Sequence, residues 1–425
     1  LVVKFAGVKN LVLPGMVGTS SLKNLTMVMS PSPLFLAVGA LVGVRAGVSM
    51  LLGAVVAWCI LGPVAIESGW VSGQLTVDGA PLEVMLNSAT WLEAKGAKGW
   101  FKELVTWLLW PGVAMMVTAS LTAFGFSWRS VLAAFKGGAN ADDLGEITDE
   151  VPGRVYFSLI GLVCVVSVVL QFSLFGIGWG LATFGVLLTF VLAIVAARVS
   201  GETGITPVGA MGKVTQLTFG VVESGNVSAN LMAANVTGGA ASQCADLLHD
   251  MKTGLLIGAS PRQQTYAQFA GVLAGAICGS LGYMVLVGDA GQLQVLWDDP
   301  DWAMPAVVQW KAVAELFQGG VENLPAGATA AMIWGGVFGI VAAVLEKVLP
   351  KKMGVWVPSP TAVGLAFVIP AYYSLSMALG GVIAWGLFSK YKDWSTRFLI
   401  VLAAGIIAGD SLTGVGLAVA KIVGG

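Results

Sequence analysis

Residues 33–62 read PLFLAVGALVGVRAGVSMLLGAVVAWCILG, and Arg45 carries the only charge in this run. A helix that crosses a membrane needs about 20 consecutive apolar residues, so the run is half as long again as one straight span requires. A run of this length is either strongly tilted or broken within the membrane. Because Arg45 interrupts the apolar pattern, the sequence favours a broken helix.

The composition of the whole chain predicts a membrane protein. Apolar residues make up 56% of the 425 residues, charged residues make up 11%, and the mean hydropathy is +0.85. Soluble domains carry about 25% charged residues, so this chain has too little polar surface for water. Its apolar runs are long and do not alternate, and helices satisfy their own backbone groups in lipid. The fold class that we predict is therefore an all-α polytopic membrane protein.

Charge and motif content exclude several functional classes. The net charge of −1 gives no electrostatic basis for binding nucleic acid. HExxH and GxSxG motifs are absent and there is one histidine, which argues against a membrane-embedded hydrolase. Lys213 is not part of a P-loop, because Pro207 replaces the first glycine of that motif and Val214 follows the lysine. The four cysteines are spaced as neither a zinc site nor a disulfide framework. We expect no enzymatic activity, no cofactor and no resident metal.

Nine apolar runs are candidate membrane spans. They cover residues 33–63, 103–124, 155–173, 175–199, 226–243, 264–287, 328–348, 359–388 and 397–423. Lysines and arginines at 347–352 and 390–397 mark the two junctions that flank the eighth run as cytoplasmic. Both ends of this run then lie on the same side of the membrane. Since Pro370 stands in its middle, we expect a helical hairpin or re-entrant pair.

An internal repeat relates the first and eighth runs. SMLLGAVVAW (49–58) and SMALGGVIAW (376–385) agree at seven of ten positions, with an offset of 327 residues. Pro31-Ser32-Pro33 recurs as Pro358-Ser359-Pro360 at the same offset. Many transporters are built from two related halves, with the substrate bound between them near the middle of the membrane. The repeat therefore favours a transporter.

The repeat also suggests how the chain is organised. We assign residues 1–200 to the C-terminal part of a first half, with four to five spans, and residues 201–425 to the second half, within one membrane domain. Roughly 150 residues (203–357) precede the second copy without counterparts ahead of the first. We therefore expect the N-terminal part of the first half to be missing from this chain.

The stretch SGETGITPVGAMGKVTQLTFG (200–220) combines helix-breaking and polar residues at membrane depth. Such backbone is tolerated where it lines a cavity or is buried in protein, and unwound segments offer amides, carbonyls and half-helix ends to a substrate. The predicted substrate-binding residues here are Thr203, Gly204, Thr206, Pro207, Lys213 and Gln216, and Glu202 is a candidate for ion coupling. The alternative is a short aqueous loop between two spans.

Amide side chains follow in the next run. Asn226, Asn230 and Asn235 lie four and five residues apart, so a helix would carry them on one face, and Gln243 continues the pattern. Amides suit a peptide backbone because each presents a donor and an acceptor. We predict that these four residues bind substrate. The alternative is that they form hydrogen bonds between helices.

Ionisable residues that are rare in this chain gather just beyond the amides. Asp246, His249, Asp250 and Lys252 follow within ten residues, and histidine titrates near neutral pH. The set is a candidate proton relay, or alternatively a solvated cap at a cytoplasmic helix end. Arg45 and Asp410 are further candidates for ion coupling, because each lies inside an apolar run.

Two of these stretches resemble the oligopeptide transporter (OPT) superfamily, particularly its bacterial members. They are GITPVGAMGKVTQLTFG (204–220) and GNVSANLMAANVTGGAASQCADLLHDMKTGLLIGASPRQQ (225–264), and the segments at 30–62 and AAGIIAGDSLTGVG (403–416) are similar to that family as well. The resemblance implies that the segment 204–216 and the helix 226–243 face the substrate pathway.

The resemblance also implies a function, which is proton-coupled uptake of small peptides across the plasma membrane, here a bacterial inner membrane. A related branch, the yellow-stripe-like proteins, carries metal chelates of peptide-like ligands. The expected partners are such a substrate, protons, the lipid bilayer and a second copy in a homo-oligomer, with no nucleic acid. Chelate transport remains open, as does a truncated, non-transporting subunit of a larger assembly.

Overall fold

The computed structural model describes most of the chain. The described residues are 11–29, 32–77, 80–96, 98–126, 128–129, 151–203, 208–223, 225–289, 291, 293, 305–320, 322 and 324–424.

Helices dominate the described residues. In chain order they are α1 (Pro33–Ala54, continued by a π-helix over Val55–Leu61), α2 (Gly62–Glu67), α3 (Ala89–Lys95), α4 (Phe101–Phe126), α5 (Gly153–Phe175), α6 (Trp179–Thr203), α7 (Val208–Val222), α8 (Val227–Ile257), α9 (Pro261–Val287), α10 (Pro305–Gly319), α11 (Ala328–Val348), α12 (Lys351–Gly354), α13 (Pro360–Val368), α14 (Ala371–Lys390) and α15 (Lys392–Gly424). Eight helical stretches among the described residues are long and apolar enough to cross a membrane. The prediction of an all-α polytopic membrane protein is confirmed.

Three short antiparallel strand pairs accompany the helices. They join β1 (Leu11–Val12) to β4 (Val28–Met29), β2 (Met16–Val17) to β3 (Ser20–Ser21), and β5 (Ser72–Val77) to β6 (Ala80–Met85). The last pair is in register from Ser72 opposite Met85 to Val77 opposite Ala80. The buried ring of Trp91 lies against Gly73, where a larger residue would collide with it.

The chain forms two compact units. Unit 1 comprises Leu1–Ala119, Ala290–Ala312 and Val321–Gly425, and unit 2 comprises Ser120–Asp289 and Val313–Gly320. Both copies of the repeat lie in unit 1. The units therefore do not follow the predicted boundary between residues 200 and 201, and the assignment of two transporter halves stays a prediction.

Both long apolar runs of unit 1 are broken helices. The first breaks at Gly43, whose φ of 84° and ψ of 168° interrupt α1. The second breaks at Ile369–Pro370, between α13 and α14. Gly43 and Pro370 are equivalent positions of the repeat. The prediction that Arg45 marks the break was wrong by two residues, because a positive φ suits glycine, which has no Cβ.

The two broken helices pack through repeated backbone contacts. A Cβ atom on Gly380 would collide with the carbonyl oxygen of Leu36, and one on Gly53 would lie 2.5 Å from the carbonyl oxygen of Val363. Gly53 and Gly380 are equivalent in the repeat, and so are Leu36 and Val363. Each broken helix thus contributes one glycine that contacts the backbone of the other at the equivalent position of the repeat.

Helix α1 folds around α14 at the Gly43 break. Gly39 and Gly47, on either side of the break, both approach the backbone of Met377. Eight residues of straight helix span about 12 Å, so both glycines face the same residue only because the chain bends between them. The nine-residue α13 is likewise only about 13 Å long, less than half of the roughly 30 Å hydrocarbon core. The short α13 fits the hairpin or re-entrant pair expected of residues 359–388, and the bend at Gly43 fits the broken helix expected of the first run.

Unit 2 is built around α6, α7 and α8. One apolar cluster joins residues of all three helices, and they are Leu192, Val195, Ala196, Val199, Ala210, Met211 and Ala241. Helix α8 is longer than the predicted span at 226–243, since it continues to Ile257. Asp246, His249, Asp250 and Lys252 therefore lie within this helix and not beyond its end.

Candidate functional site

Helix α7 carries polar side chains on a buried face. Its buried residues are Ala210, Met211, Gly212, Lys213, Thr215, Gln216, Phe219 and Gly220. Alanine and glycine allow the neighbouring helices to approach closely, and Gly220 lies directly against the ring of Phe317. The close approach is what removes Lys213, Thr215 and Gln216 from the surface.

Gln216 on α7 and Asn230 on α8 form a reciprocal amide pair. Gln216 Nε2 donates to Asn230 Oδ1 at 3.2 Å, and Asn230 Nδ2 donates to the backbone oxygen of Gln216 at 2.7 Å. The side chains are 0% and 3% exposed. A buried amide without a partner costs about 1–3 kcal/mol, so each side chain stabilises the buried position of the other.

Other buried polar groups surround the amide pair along α7 and α8. Lys213, Thr215 and Thr237 are at most 1% exposed. Thr237 Oγ1 lies 3.0 Å from Thr189 Oγ1 of α6. We call Lys213, Thr215, Gln216, Asn230 and Thr237 the polar layer of unit 2. Burying an ammonium group such as that of Lys213 is costly, and such positions inside membranes are usually functional.

The predicted amide residues of α8 have three different environments. Asn226 caps the helix, accepting from the backbone nitrogen of Ala229 at 2.9 Å and donating to Glu223 Oε1 at 3.1 Å. Asn230 is buried in the amide pair, whereas Asn235 and Gln243 are exposed. These residues do not form one continuous amide face in unit 2, and their role in substrate binding stays a prediction.

The ionisable residues of α8 are exposed in the structure. Asp246, His249, Asp250 and Lys252 all lie on the second half of the helix. His249 Nε2 lies 3.1 Å from the hydroxyl of the buried Ser200, which ties this end of α8 to α6. Asp250 accepts a hydrogen bond from Gln268 Nε2 of α9. The structure thus gives partners to two members of the predicted relay.

Arg45 belongs to unit 1, where three hydrogen bonds anchor its guanidinium. Its Nη1 donates to Glu346 Oε1 at 3.0 Å, and its Nε and Nη2 donate to the backbone oxygen of Val357 at 3.1 and 3.0 Å. The guanidinium therefore links α1 to α11 and to the turn before α13. Asp410 is half-buried on α15. Ion coupling by either residue stays a prediction.

Part of the predicted broken segment lies outside the described residues. Helix α6 ends at Thr203 and includes the backbone of Glu202, and α7 begins at Val208. Gly204, Thr206 and Pro207 lie in the stretch that the structure does not describe.

Several polar residues of this region were not singled out by the sequence. Thr189 and Ser200 contact α8 from the apolar run of α6, and Gln264 and Gln268 contact Asp250 from α9. The four-residue spacing of the two glutamines was the one available signal, because it predicts a shared helix face. Among the described residues no group of three His, Cys, Asp or Glu side chains is placed to hold a metal ion.

The chain is similar to several known transport proteins. It is 24% identical to "Putative oligopeptide transporter YGL114W" of Saccharomyces cerevisiae, over 90% of this chain and 57% of that protein. It is 25% identical to "Probable metal-nicotianamine transporter YSL9" of Oryza sativa subsp. japonica, over 86% and 53% of the two chains. It is also 24% identical to "Metal-nicotianamine transporter YSL2" of Arabidopsis thaliana, over 61% and 38%.

The chain spans about half the length of the first two of these relatives. Its own sequence matches the family described as OPT oligopeptide transporter protein over residues 3–421, which is nearly the whole chain. Together with the eight membrane-spanning stretches, this match identifies an integral membrane protein. The chain belongs to the OPT oligopeptide transporter family.

Proposed function

We propose that this chain is part of a secondary active transporter that takes up small oligopeptides together with protons. The membrane in which it works is the plasma membrane, which for a bacterial cell is the inner membrane. The family membership supports transport as the general activity. The choice of peptide and proton rests on the residues of unit 2.

The observation that carries the proposal is the polar layer. Lys213, Thr215, Gln216, Asn230 and Thr237 are buried between two apolar clusters in a membrane protein. Hydrogen bonding between helices accounts for the amide pair, but it does not require a buried lysine, whose loss of water is costly. A transporter needs such groups when a polar substrate has to replace water inside the membrane.

The chemistry of the layer suits peptides. A peptide bond presents one donor and one acceptor, and an amide side chain presents both in return. The amide pair can exchange its internal hydrogen bonds for bonds to a substrate backbone without leaving a group unpaired. The Lys213 ammonium matches a peptide carboxylate.

Proton coupling is assigned to the ionisable residues that the sequence singled out. Glu202, Asp246, His249, Asp250 and Lys252 belong to unit 2, and Arg45 and Asp410 belong to unit 1. His249 is the strongest member, because its Nε2 lies 3.1 Å from the hydroxyl of Ser200 and a neutral imidazole carries both a donor and an acceptor nitrogen.

A second candidate substrate is a metal chelate of a peptide-like ligand. Two of the relatives described above are named as metal-nicotianamine transporters, and the third is named as an oligopeptide transporter. A chelate of this type also presents carboxylates and amines, so the same polar layer would recognise it. Competition between the two substrate classes decides between them.

The test is uptake by the full-length protein in lipid vesicles. Under an imposed gradient with the outside acidic, a labelled tripeptide should accumulate, and a protonophore should abolish accumulation. An excess of unlabelled tripeptide should compete better than an iron chelate. No peptide uptake under this gradient would contradict the proposal, and stronger competition by the chelate would replace the substrate.

Coupling is tested separately with His249→Gln and Glu202→Gln. A coupling residue is needed for accumulation against a gradient but not for exchange of labelled for unlabelled substrate at equal concentrations. We expect at least one variant to lose accumulation and retain exchange. If both variants accumulate tripeptide as the parent protein does, these two assignments are wrong.

A further inference from the structure

A surface cavity lies between α8 and α9, apart from the polar layer. Its volume is about 350 Å³. The lining residues are Asp250, Thr253, Gly254, Ile257, Gln264, Ala267 and Gln268. All of them belong to unit 2.

The cavity is shaped by a tight connection between the two helices. Helix α8 ends at Ile257 and is capped by Gly258, whose φ of 76° is left-handed. The backbone nitrogen of Ala259 donates to the backbone oxygen of Gly254 at 2.8 Å. Ser260 then caps α9 and Pro261 occupies its first turn. The connection brings Gln264 and Gln268, one turn apart, against the face of α8 that carries Asp250.

Glycine at position 254 makes room for this arrangement. A Cβ atom there would collide with the amide group of Gln264. The side chain of Gln264 therefore reaches across the α8 backbone, where its Nε2 donates to the backbone oxygen of Asp250 at 3.0 Å.

Hydrogen bonds to Asp250 fix the orientation of both glutamine amides. Gln268 Nε2 donates to Asp250 Oδ2, and Gln264 Nε2 donates to the carbonyl of the same residue. A carboxylate and a carbonyl only accept, so each amide must turn its NH₂ group towards them. Their oxygens are then left as acceptors, and the buried Gln264 Oε1 has no hydrogen-bond partner among the residues that the structure describes.

Thr253 contributes another acceptor oxygen to the cavity. Its hydroxyl donates to the backbone oxygen of His249 at 3.0 Å, so its oxygen is also left as an acceptor. The polar groups around the cavity thus combine a negative carboxylate with acceptor oxygens, and each glutamine NH₂ group already donates one hydrogen bond to Asp250.

We infer that this cavity binds a primary ammonium group, held by the Asp250 carboxylate and the Gln264 side-chain oxygen. An ammonium offers three donors and no acceptor, which complements this set. The ammonium can come from the amino terminus of a peptide or from a free amine. The peptide source rests on the proposed function, because a transporter of free peptides has to recognise that charged end.

The test measures binding of radiolabelled methylammonium to the purified full-length protein in detergent. We expect saturable binding, displaced by unlabelled ethylammonium but not by tetramethylammonium, which cannot donate. Asp250→Asn should weaken binding by at least about tenfold, because it removes the charge from a charge-assisted hydrogen bond. Asp289→Asn is the matched control, since Asp289 follows the far end of α9 and does not line the cavity.

A second variant keeps the test valid if Asp250→Asn does not fold. Gln264→Met removes the orphaned oxygen and keeps the length of the side chain, and we expect it to weaken methylammonium binding severalfold. Its thermal stability and elution volume show whether it folds. Equal affinity for methylammonium in the parent, in Asp250→Asn and in Gln264→Met would overturn the proposal. Displacement by sodium at the same concentration as ethylammonium would overturn it too, because the site would then not be selective for an ammonium.

Displacement by peptides separates the two sources. A tripeptide that displaces methylammonium, together with an N-acetylated tripeptide that does not, identifies the peptide amino terminus. Displacement by neither peptide identifies a free amine. Methylammonium binding without peptide uptake would contradict the proposed function alone, whereas uptake with no methylammonium binding would contradict this inference alone.

Discussion

Two sets of helix contacts are built by different means, the α1–α14 contact of unit 1 and the contacts of α8 with α6 and α7 in unit 2. In unit 1, α1 and α14 approach until glycine residues touch backbone, as at Gly39 against Met377 and Gly380 against Leu36. In unit 2, side chains cross between helices, as in the amide pair and in the Ser200–His249 contact. Backbone contacts leave no room for a substrate, whereas side-chain hydrogen bonds can be exchanged for bonds to a ligand. This difference fits the proposal that the α1–α14 contact is a scaffold and that the polar layer recognises the substrate.

The largest effect is expected from enlarging a scaffold glycine. Gly380→Leu would drive a side chain into the carbonyl of Leu36, and overpacking against backbone costs about 3 kcal/mol or more. We expect no folded peak in size-exclusion chromatography with fluorescence detection. Gly386→Leu is the matched control on the same helix, because nothing lies within 4 Å of a Cβ atom there. Two equally stable variants would refute the scaffold role.

A smaller effect is expected from the amide pair. Asn230→Leu removes the hydrogen bond between Gln216 Nε2 and Asn230 Oδ1, and we expect a loss of about 1–3 kcal/mol in the free energy of unfolding. Asn235→Leu, at an exposed position of the same helix, should change it by less than about 0.5 kcal/mol. Denaturant titration in detergent measures both. Equal losses would show that burial of the amide contributes nothing.

The double variant measures how strongly the two amide side chains depend on each other. If Gln216→Leu is combined with Asn230→Leu, both partners are replaced and no side-chain amide is left unpaired. The combined loss should then be smaller than the sum of the two single losses. Strict additivity would mean that the two side chains do not stabilise each other.

The smallest effect is expected at Arg45. Both side chains are partly exposed, that of Arg45 at 32% and that of its partner Glu346 at 37%. Ion pairs of this kind contribute about 0.2–1 kcal/mol. Glu346→Gln should therefore lower the free energy of unfolding by less than about 1 kcal/mol, and added salt should reduce the difference. A decrease in the free energy of unfolding above about 3 kcal/mol would show that the ion pair is shielded from solvent.

The sequence predicted the broken helices because of their length, and Pro370 marked the second break, but the position of the first break was not predicted. Thirty apolar residues exceed the length of one straight span, and the sequence alone establishes this. Arg45 looked like the interruption because its charge is conspicuous among apolar residues. The backbone instead breaks at Gly43, since a left-handed conformation depends on the absence of a Cβ atom and not on charge.

Equivalent residues of the repeat also differ in ways that no sequence comparison reveals. Trp58 is fully buried and donates to the backbone oxygen of Ala366 at 3.0 Å, whereas its counterpart Trp385 is 61% exposed. Arg45 and Tyr372 are counterparts with different chemistry. The repeat predicts the shared backbone geometry, but the surroundings of each copy determine the burial of its side chains.

The candidate site was predicted only in part. Lys213, Gln216 and Asn230 were recognised as polar residues in an apolar region, and the structure buries all three. The pairing of Gln216 with Asn230 depends on the turn between α7 and α8, which brings together residues on different helices. The contacts of Gln264 and Gln268 with Asp250 depend in the same way on the turn at Gly258. Helical periodicity describes one helix at a time, so such contacts escaped it.

The most direct test of the account is the accessibility of the polar layer during transport. Single cysteines replace Gln216 or Asn230 in the full-length protein after Cys59, Cys164, Cys244 and Cys278 have been changed to serine, and a hydrophilic thiol reagent is applied with and without tripeptide. If the polar layer binds the substrate, both positions are labelled and the tripeptide protects them. Leu162→Cys, on the exposed apolar face of α5, shows no protection. Labelling of Gln216→Cys and Asn230→Cys that the tripeptide does not alter, or no labelling of either during active uptake, would contradict it.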